Sequence, residues 1–180
     1  PTAARELLLE PRCAFGSGAH HTTQMMLSLL LEEQSALAHA RVLDVGCGTG
    51  VLGIAAALLG AESVSFVDID ATAVENARHN AELNGLVAPC SFYEGILEEL
   101  AWDEASFDCL LANIHRNIIL HDLPRYKTLL SPGGLLFVSG FYVGEDEEII
   151  TSTLERMGFV LRTRKESGEW VALSFASLSN

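Results

Sequence analysis

The nine residues 42–50, Val-Leu-Asp-Val-Gly-Cys-Gly-Thr-Gly, constrain the fold of this chain more than any other stretch. They predict a short buried strand that runs into a turn of three alternating glycines, and the next ten residues predict a helix that ends at Gly60. Glycines let a ligand lie directly on the backbone, and the start of the helix offers unpaired amide groups. A second apolar run ends at Asp68. This order is typical of a nucleotide site in a doubly wound α/β sheet.

Further strand and helix patterns alternate after this motif. Strands are predicted at residues 63–69, 89–93, 107–112 and 135–139. One helix, which Asp70 can cap, is predicted to run through residues 73–81 and to stop at Asn84-Gly85, and another is predicted at about 145–157. Pro124 is predicted to start or break a helix, and Ser-Pro-Gly-Gly at 131–134 is predicted to form the turn before the fifth strand. Residues 159–163 and 170–175 are predicted to form a β-hairpin.

This order of elements predicts an α/β fold with a doubly wound, Rossmann-like sheet of seven strands. Alternating strands and helices require a mostly parallel sheet, and the C-terminal hairpin would insert one antiparallel strand. A plain dinucleotide-binding sheet would add a parallel strand there instead, whereas the antiparallel strand is found in S-adenosylmethionine-dependent methyltransferases. We expect a lead-in segment at residues 1–13 and one catalytic domain at 14–180.

Charge and hydropathy limit the classes of partner that the chain is expected to bind. Its 24 acidic and 11 basic side chains give a net charge of −13, which repels nucleic-acid phosphates and attracts basic partners. No apolar run reaches the ~18 residues of a membrane span, and no signal peptide is recognisable, so a cytoplasmic protein without a membrane partner is expected. The adjacent His20 and His21 lack acidic or thiol partners at ligand spacing, so no metal site is predicted.

The glycine turn alone leaves the cofactor open. Gly48, Gly50 and Gly53 satisfy the GxGxxG pattern of nicotinamide dinucleotide sites, and Asp68 lies 20 residues past Gly48. Asp44, directly before the glycines, favours a cationic sulfonium and α-ammonium group over a diphosphate, although it could also cap the turn. Asp68 is placed to bind two ribose hydroxyls, with the capping of a loop as its alternative role.

Other stretches are more specific than the glycines. They are Phe15-Gly16-Ser17-Gly18 with His20, Thr22 and Thr23; Val67-Asp68-Ile69-Asp70; Ala112-Asn113-Ile114; Pro132-Gly133-Gly134 with Ser139-Gly140; and Glu169-Trp170-Val171-Ala172-Leu173. With these motifs the chain resembles the ribosomal large-subunit protein L-11 methyltransferases from about residue 11 to 175. The resemblance implies an enzyme that uses S-adenosylmethionine to methylate lysine side chains or the N-terminal amine of a ribosomal protein.

The resemblance also suggests which residues form the site. The candidates for cofactor binding are Phe15, His20, Thr22, Thr23, Asp44, Gly46, Gly48, Asp68, Ile69, Ile96 and Asn113. His20 and Thr22 would contact the methionine part of the cofactor, and Phe15 would pack over the cofactor or the substrate entry. Residues 14–23 are predicted to form a small-residue loop that opens a first helix, which Thr22 or Thr23 could cap. The alternatives to the cofactor contacts are a core position for Phe15 and capping of this helix for His20 and Thr22. Ile96 stands where an acidic residue is expected, so adenine would rest on backbone amides near Glu94.

Asn113 is the candidate catalytic residue. Methyl transfer requires a neutral nucleophile aligned with the methyl group and shielded from water. A lysine amine, with a reference pKa of about 10.4, must first lose a proton, which desolvation favours. The side-chain oxygen of Asn113 would accept a hydrogen bond from this amine and so orient its lone pair. The alternative is a turn residue that only ends the strand.

Other functions remain open at this point. Nucleic-acid adenine methyltransferases also place Asn at this strand end, but they continue with Pro-Pro-aromatic, whereas this chain continues with Ile114-His115-Arg116. Relatives carry a substrate-recognition domain before the catalytic domain, and its absence would leave the cleft open to small-molecule amines. A non-catalytic cofactor-binding module and an oxidoreductase are the remaining alternatives.

Overall fold

The computed structural model describes residues 6–12 and 18–178. The helices are α1 (His21–Glu32), α2 (Gln34–Leu37), α3 (Val51–Leu58), α4 (Ala71–Leu83), α5 (Arg116–Leu129) and α6 (Glu145–Arg156). The strands are β1 (Arg41–Val45), β2 (Ser63–Asp68), β3 (Cys90–Glu94), β4 (Phe107–Asn113), β5 (Leu130–Tyr142), β6 (Phe159–Ser167) and β7 (Trp170–Ser177). None of the helices in the described ranges is long and apolar enough to cross a membrane.

The seven strands form one sheet in the order β3-β2-β1-β4-β5-β7-β6. Strands β1 to β5 are parallel, and β7 pairs antiparallel with both β5 and β6. The predicted fold class, with its antiparallel C-terminal strand, is therefore confirmed. Strands β2 and β3 follow on one side of β1, and β4 and β5 follow on its other side, so the strand order reverses between β1 and β4. At such a reversal a crevice opens between the carboxyl ends of the two central strands.

A hydrophobic core covers each face of the sheet. Strand residues alternate between the two faces, so Val42 and Leu111 belong to the core beneath α1, α3 and α4, whereas Leu43 and Leu110 belong to the core beneath α5 and α6. Because both faces are buried, the central strands are almost entirely apolar. This is why a polar side chain at a strand end, such as Asn113, stands out in the sequence.

Helix α5 differs from its prediction because it continues through Pro124. The proline lacks the N–H that would bond one turn back, which costs about 3 kcal/mol in a helix interior. Its ring is on the exposed face, while Ile119, Leu123 and Tyr126 are fully buried on the other. Burial of those large side chains outweighs the lost hydrogen bond, so the prediction that Pro124 starts or breaks a helix was wrong.

Strand β5 also begins earlier than predicted. Leu130 already pairs with Phe107, and the register then shifts before Cys109 pairs with Leu135. The stretch Ser-Pro-Gly-Gly at residues 131–134 is therefore an irregular part of the strand, and its prediction as a turn before the strand was wrong. By contrast, the predicted cap of α4 is confirmed, since the Asp70 carboxylate accepts the Thr72 N–H.

Candidate active site

The candidate site lies at the carboxyl edge of the sheet, above the crevice between β1 and β4. Helix α1 and the C-terminal hairpin reach the same edge. Trp170, the first residue of the antiparallel β7, pairs with Tyr142 at the carboxyl end of β5. The imidazole of His20, at the start of α1, contacts the Trp170 ring edge-on, with 5.0 Å between the ring centroids. The start of α1 and the start of β7 therefore meet at this edge of the sheet.

The glycine turn needs glycine for two different reasons. Gly46 and Gly50 have φ angles of +65° and +79°, which disfavour residues with a side chain. Space is limiting as well: a Cβ at Gly46 would come within 2.3 Å of Ile114 Cγ2, and one at Gly50 within 3.0 Å of the Ala77 Cβ. The turn is therefore held tightly between the end of β4 and helix α4.

Asp68 fixes the backbone beside this turn. Its Oδ2 accepts the Gly48 N–H at 3.0 Å, and its Oδ1 accepts the Asp70 N–H at 3.0 Å. A carboxylate oxygen can accept more than one hydrogen bond, so both oxygens keep capacity for further donors. Asp68 therefore fits the predicted contact with ribose hydroxyls. The exposed side chains of Ile69 and Ile96, beyond the ends of β2 and β3, offer apolar surface of the kind that an adenine ring covers.

Asp44 is oriented toward the interior. Its side chain is buried, and Oδ2 accepts the Gly53 N–H of helix α3 at 2.9 Å. Burial raises the pKa of this carboxyl group to about 8, with a smaller contribution in the same direction from the nearby Asp68 and an opposing one from the Gly53 hydrogen bond. Asp44 thus caps α3 from below the turn. Its predicted attraction for a cationic cofactor stays a prediction.

The first helix is capped by His20, for which capping was the alternative to a contact with the cofactor. His20 is the N-cap of α1, since its Nδ1 accepts the Thr22 N–H at 3.2 Å and lies 2.8 Å from Thr22 Oγ1. The prediction that Thr22 or Thr23 would cap the helix was wrong because both lie inside it with buried side chains. Phe15 lies outside the described residues.

Asn113 lies next to helix α1. Its Nδ2 donates to Thr23 Oγ1 at 3.5 Å, a contact between residues 90 positions apart. The next residue, Ile114, donates its backbone N–H to the Ser139 carbonyl at 3.1 Å and places its side chain against Gly46. Among the described residues, no group donates a hydrogen bond to Asn113 Oδ1. The amide nitrogen thus makes one long contact to α1, and the amide oxygen has no donor among the described residues.

Two aromatic residues of the site carried no assigned role in the sequence. The rings of Tyr142 and Trp170 contact each other at an angle of 33°, with 4.5 Å between their centroids, and Tyr142 is about half exposed, at 49%. Trp170 belongs to one of the specific motifs, and Tyr142 can be found from the sequence only after the pairing of β5 with β7 is known. The pair forms one side of the opening at the strand ends.

The fold and this arrangement define an S-adenosylmethionine-dependent methyltransferase domain. Its signature is a seven-stranded sheet with β7 antiparallel, a glycine turn after β1, an acid at the end of β2 and an asparagine at the end of β4. The sequence model described as "Ribosomal protein L11 methyltransferase (PrmA)" matches residues 2–177. The chain belongs to the ribosomal protein L11 methyltransferase family, which gives no support to a nicotinamide-dependent oxidoreductase.

Individual relatives agree with this assignment. The chain is 43% identical over 175 residues to a ribosomal protein L11 methyltransferase of Porphyromonas gingivalis and 38% identical to one of Bacteroides fragilis. Both matches cover 97% of this chain but only 59% and 61% of the relatives. A crystal structure of the ribosomal protein L11 methylase from Lactobacillus delbrueckii subsp. bulgaricus is similar with a TM-score of 0.77 and 31% identity, covering 89% of this chain and 81% of that one. The chain thus spans about three fifths of the sequence relatives it matches.

Proposed function

We propose that this chain transfers a methyl group from S-adenosylmethionine to amines of a ribosomal protein, either lysine side chains or the N-terminal amine. The observation that carries this proposal is the held amide of Asn113, whose nitrogen donates to Thr23 and whose oxygen has no donor among the described residues. An oriented acceptor beside the glycine turn suits an amine nucleophile, which needs a hydrogen-bond acceptor to direct its lone pair. The relatives that the chain matches are named for methylation of ribosomal protein L11.

The cofactor supplies a methyl group on a sulfonium, which is already a good leaving group. The protein must therefore bind the cofactor, orient the substrate amine and shield both from water. Asp68 would bind the ribose hydroxyls, and Ile69 and Ile96 would cover the adenine. Gly46 and Gly48 would let the cofactor approach the backbone. These assignments follow the placement of the residues at one edge of the sheet.

The remaining cofactor assignments concern the amino-acid end of the ligand. His20 and Thr22, which are hydrogen-bonded to each other, would line the methionine part from the start of α1. Asp44, which is mostly protonated near pH 7 in the ligand-free chain, would favour the positive charge there once a bound cation has lowered its pKa, and Phe15 would cover the cofactor or the substrate entry. Asn113 would orient the substrate amine after it has lost its proton, and this role is one of positioning because a neutral amide is not a base.

Charge supports a basic protein as the partner. With a net charge of −13, the chain attracts cationic partners and repels phosphate groups, so direct binding of nucleic acid is not part of the proposal. A ribosomal protein is made and assembled in the cytoplasm, so we place the reaction there.

The proposal is tested with methyl-labelled S-adenosylmethionine and four acceptors, namely ribosomes, isolated ribosomal proteins, nucleic acid and small amines. We expect label in one ribosomal protein, on amine nitrogens that mass spectrometry can assign. Label confined to nucleic acid or to small amines would contradict the substrate class. Binding of the cofactor without label in any acceptor would instead indicate a cofactor-binding module.

A further inference from the structure

Three asparagines of α4 hold the segment of residues 6–12. They are Asn76, Asn80 and Asn84, which are spaced four residues apart and therefore lie on one face of the helix. Their side-chain oxygens accept the backbone N–H groups of Arg12, Glu10 and Leu8 at 2.8, 2.9 and 2.9 Å. The segment runs antiparallel to the helix, because the residue number along the segment falls as that along the helix rises.

The spacing of the asparagines along α4 matches the spacing of alternate residues along the segment. Four residues of helix advance about 6.0 Å, and two residues of extended chain advance about 6.6 Å. Every second residue of the segment therefore meets the next asparagine along α4. Leu7 and Leu9 pack against the core beneath this helix, whereas Leu8 is exposed. The segment is fixed in register by its backbone and in orientation by its leucines.

Asn80 uses its amide differently from Asn84. Asn84 directs its Nδ2 to the carbonyls of Leu8 and Asn80, so its contacts stay within the segment and the helix. The Nδ2 of Asn80 instead donates to the Thr49 carbonyl of the glycine turn at 2.9 Å. Asn80 is fully buried, so these hydrogen bonds are shielded from water.

The glycine turn is consequently anchored from two sides. Asp68 accepts the Gly48 N–H on the side of β2, and Asn80 donates to the Thr49 carbonyl on the side of α4. One amide thus joins Glu10 of the segment to the turn that carries the cofactor site. The Glu10 carbonyl also accepts a hydrogen bond from Asn76 Nδ2 at 2.8 Å, and Asn80 contacts both the segment and the turn.

We propose that Asn80 is a positioning residue for the cofactor turn, and that it couples docking of residues 6–12 to cofactor affinity. The inference rests on the proposed function, because it requires the cofactor to bind at residues 46–50. Asn80 acts through the Thr49 carbonyl and does not itself touch the ligand. By linkage, cofactor binding must then stabilise docking of the segment by the same factor by which docking strengthens binding.

The first test compares Asn80→Ala with Asn84→Ala, using S-adenosylhomocysteine as the probe in calorimetric titrations. Both variants lose a contact to the segment, but only Asn80→Ala loses the bond to Thr49. We expect about tenfold weaker binding for Asn80→Ala, the effect of one hydrogen bond of about 1.4 kcal/mol. For Asn84→Ala we expect a change below twofold, because Asn76, Asn80 and the two packed leucines keep the segment docked. If Asn80→Ala does not fold, Asn80→Leu, which fills a similar volume and lacks the amide, takes its place.

The second test measures hydrogen exchange of residues 6–12 with and without S-adenosylhomocysteine. We expect the probe to slow exchange of this segment more than that of the distant β6 in the unmodified chain and in Asn84→Ala, and to lose this extra protection in Asn80→Ala. Equal probe affinity in both variants, or extra protection that persists in Asn80→Ala, would overturn the coupling. Failure of the unmodified chain to bind the probe would instead contradict the proposed function.

Discussion

At the scale of single residues, a substitution of Asn113 should affect the methyl-transfer step much more than the binding of the cofactor. Replacing it with Ala removes the acceptor for the substrate amine but leaves Asp68 and the glycine turn unchanged. We expect kcat to fall by about 10- to 100-fold, the effect of one well-placed hydrogen bond of about 1.4 to 2.7 kcal/mol, while the Kd for S-adenosylmethionine changes less than threefold. Steady-state kinetics and calorimetric titration measure the two quantities.

The matched control is Asn117→Ala, which removes the same kind of side chain from an exposed position at the start of α5. This variant should keep both kcat and cofactor affinity. Unchanged kcat in Asn113→Ala would show that Asn113 only ends the strand. A parallel loss of kcat and cofactor affinity would assign it to cofactor binding instead.

Asp44 gives a prediction about pH. Its pKa is about 8 in the folded chain and about 3.9 when unfolded, so between these values the folded state keeps a proton that the unfolded state has released. Stability from this group is complete below pH ~4 and falls as pH rises toward 8, by up to ~1.4 kcal/mol per unit. In Asp44→Asn this fall disappears, because the amide oxygen still accepts the Gly53 N–H and carries no charge.

We therefore expect the free energy of unfolding of Asp44→Asn, relative to the unmodified chain, to increase from pH 5 to about pH 8 and then level off. Urea unfolding without cofactor at a series of pH values measures it. Glu82→Gln, which neutralises an exposed carboxylate on α4, serves as the control and should run parallel to the unmodified chain. A parallel curve for Asp44→Asn as well would show that the buried carboxyl does not titrate in this range.

At the scale of elements, the backbone of Ile114, which follows β4, packs closely against Gly140 of β5. Gly140 has a φ of +100°, and a Cβ there would come within 2.3 Å of the Ile114 carbonyl oxygen. Gly133 has a φ of +78°, but a Cβ there would meet nothing within 4 Å. The two glycines share the requirement for a positive φ and differ in the space around them.

Alanine at these two positions should have unequal effects. We expect Gly133→Ala to lower the free energy of unfolding by roughly 1 to 2 kcal/mol through backbone strain alone. Gly140→Ala should cost more than about 3 kcal/mol, because backbone atoms of Ile114 must also move, and should lower kcat in the fraction that folds, because Asn113 moves with them. Urea unfolding and turnover assays check this, and equal losses of stability in the two variants would refute the steric argument.

The elements predicted well from sequence are those whose signal is local. Residues 42–50 predict β1, the turn and α3, and the hairpin pattern predicts the antiparallel β7, because alternation and glycine spacing lie within a few residues. The extent of α5 through Pro124 and the early start of β5 depend on burial against elements far along the chain. The contacts of Asn80, to Glu10 and Thr49, join residues 70 and 31 positions away, so no local pattern indicates them.

The site residues also divide into those predicted from local sequence and those that depend on distant contacts. Asp68 and Asn113 were predicted from their places at strand ends, and the structure puts both at the expected edge. The orientation of Asp44 toward Gly53 was not predicted, and capping by His20 was only the alternative to its cofactor contact, because rotamers depend on neighbours brought in by the fold. Tyr142 was missed because its position opposite Trp170 depends on the strand register.

At the scale of the whole molecule, charge sets how partners approach. Most arginines and lysines of the described residues already pair with carboxylates, as Arg162 does with Glu33 and Lys165 with Glu32. The excess of acidic groups is therefore uncompensated and produces a negative field around the chain. Such a field speeds encounters with a basic protein and is screened by salt, since the Debye length falls from about 10 Å at 0.1 M to about 3 Å at 1 M.

We therefore expect kcat/KM for a basic ribosomal protein to fall about tenfold as ionic strength rises from about 0.05 to 0.5 M, mainly through slower association. A neutral peptide that carries one acceptor lysine is the matched control, and its kcat/KM should change less than twofold, because a single charge feels little long-range attraction. If salt lowers kcat/KM equally for both substrates, it acts on the enzyme or the cofactor site. If it lowers neither, long-range attraction plays no part in choosing a basic partner, and recognition must depend on short-range contacts alone.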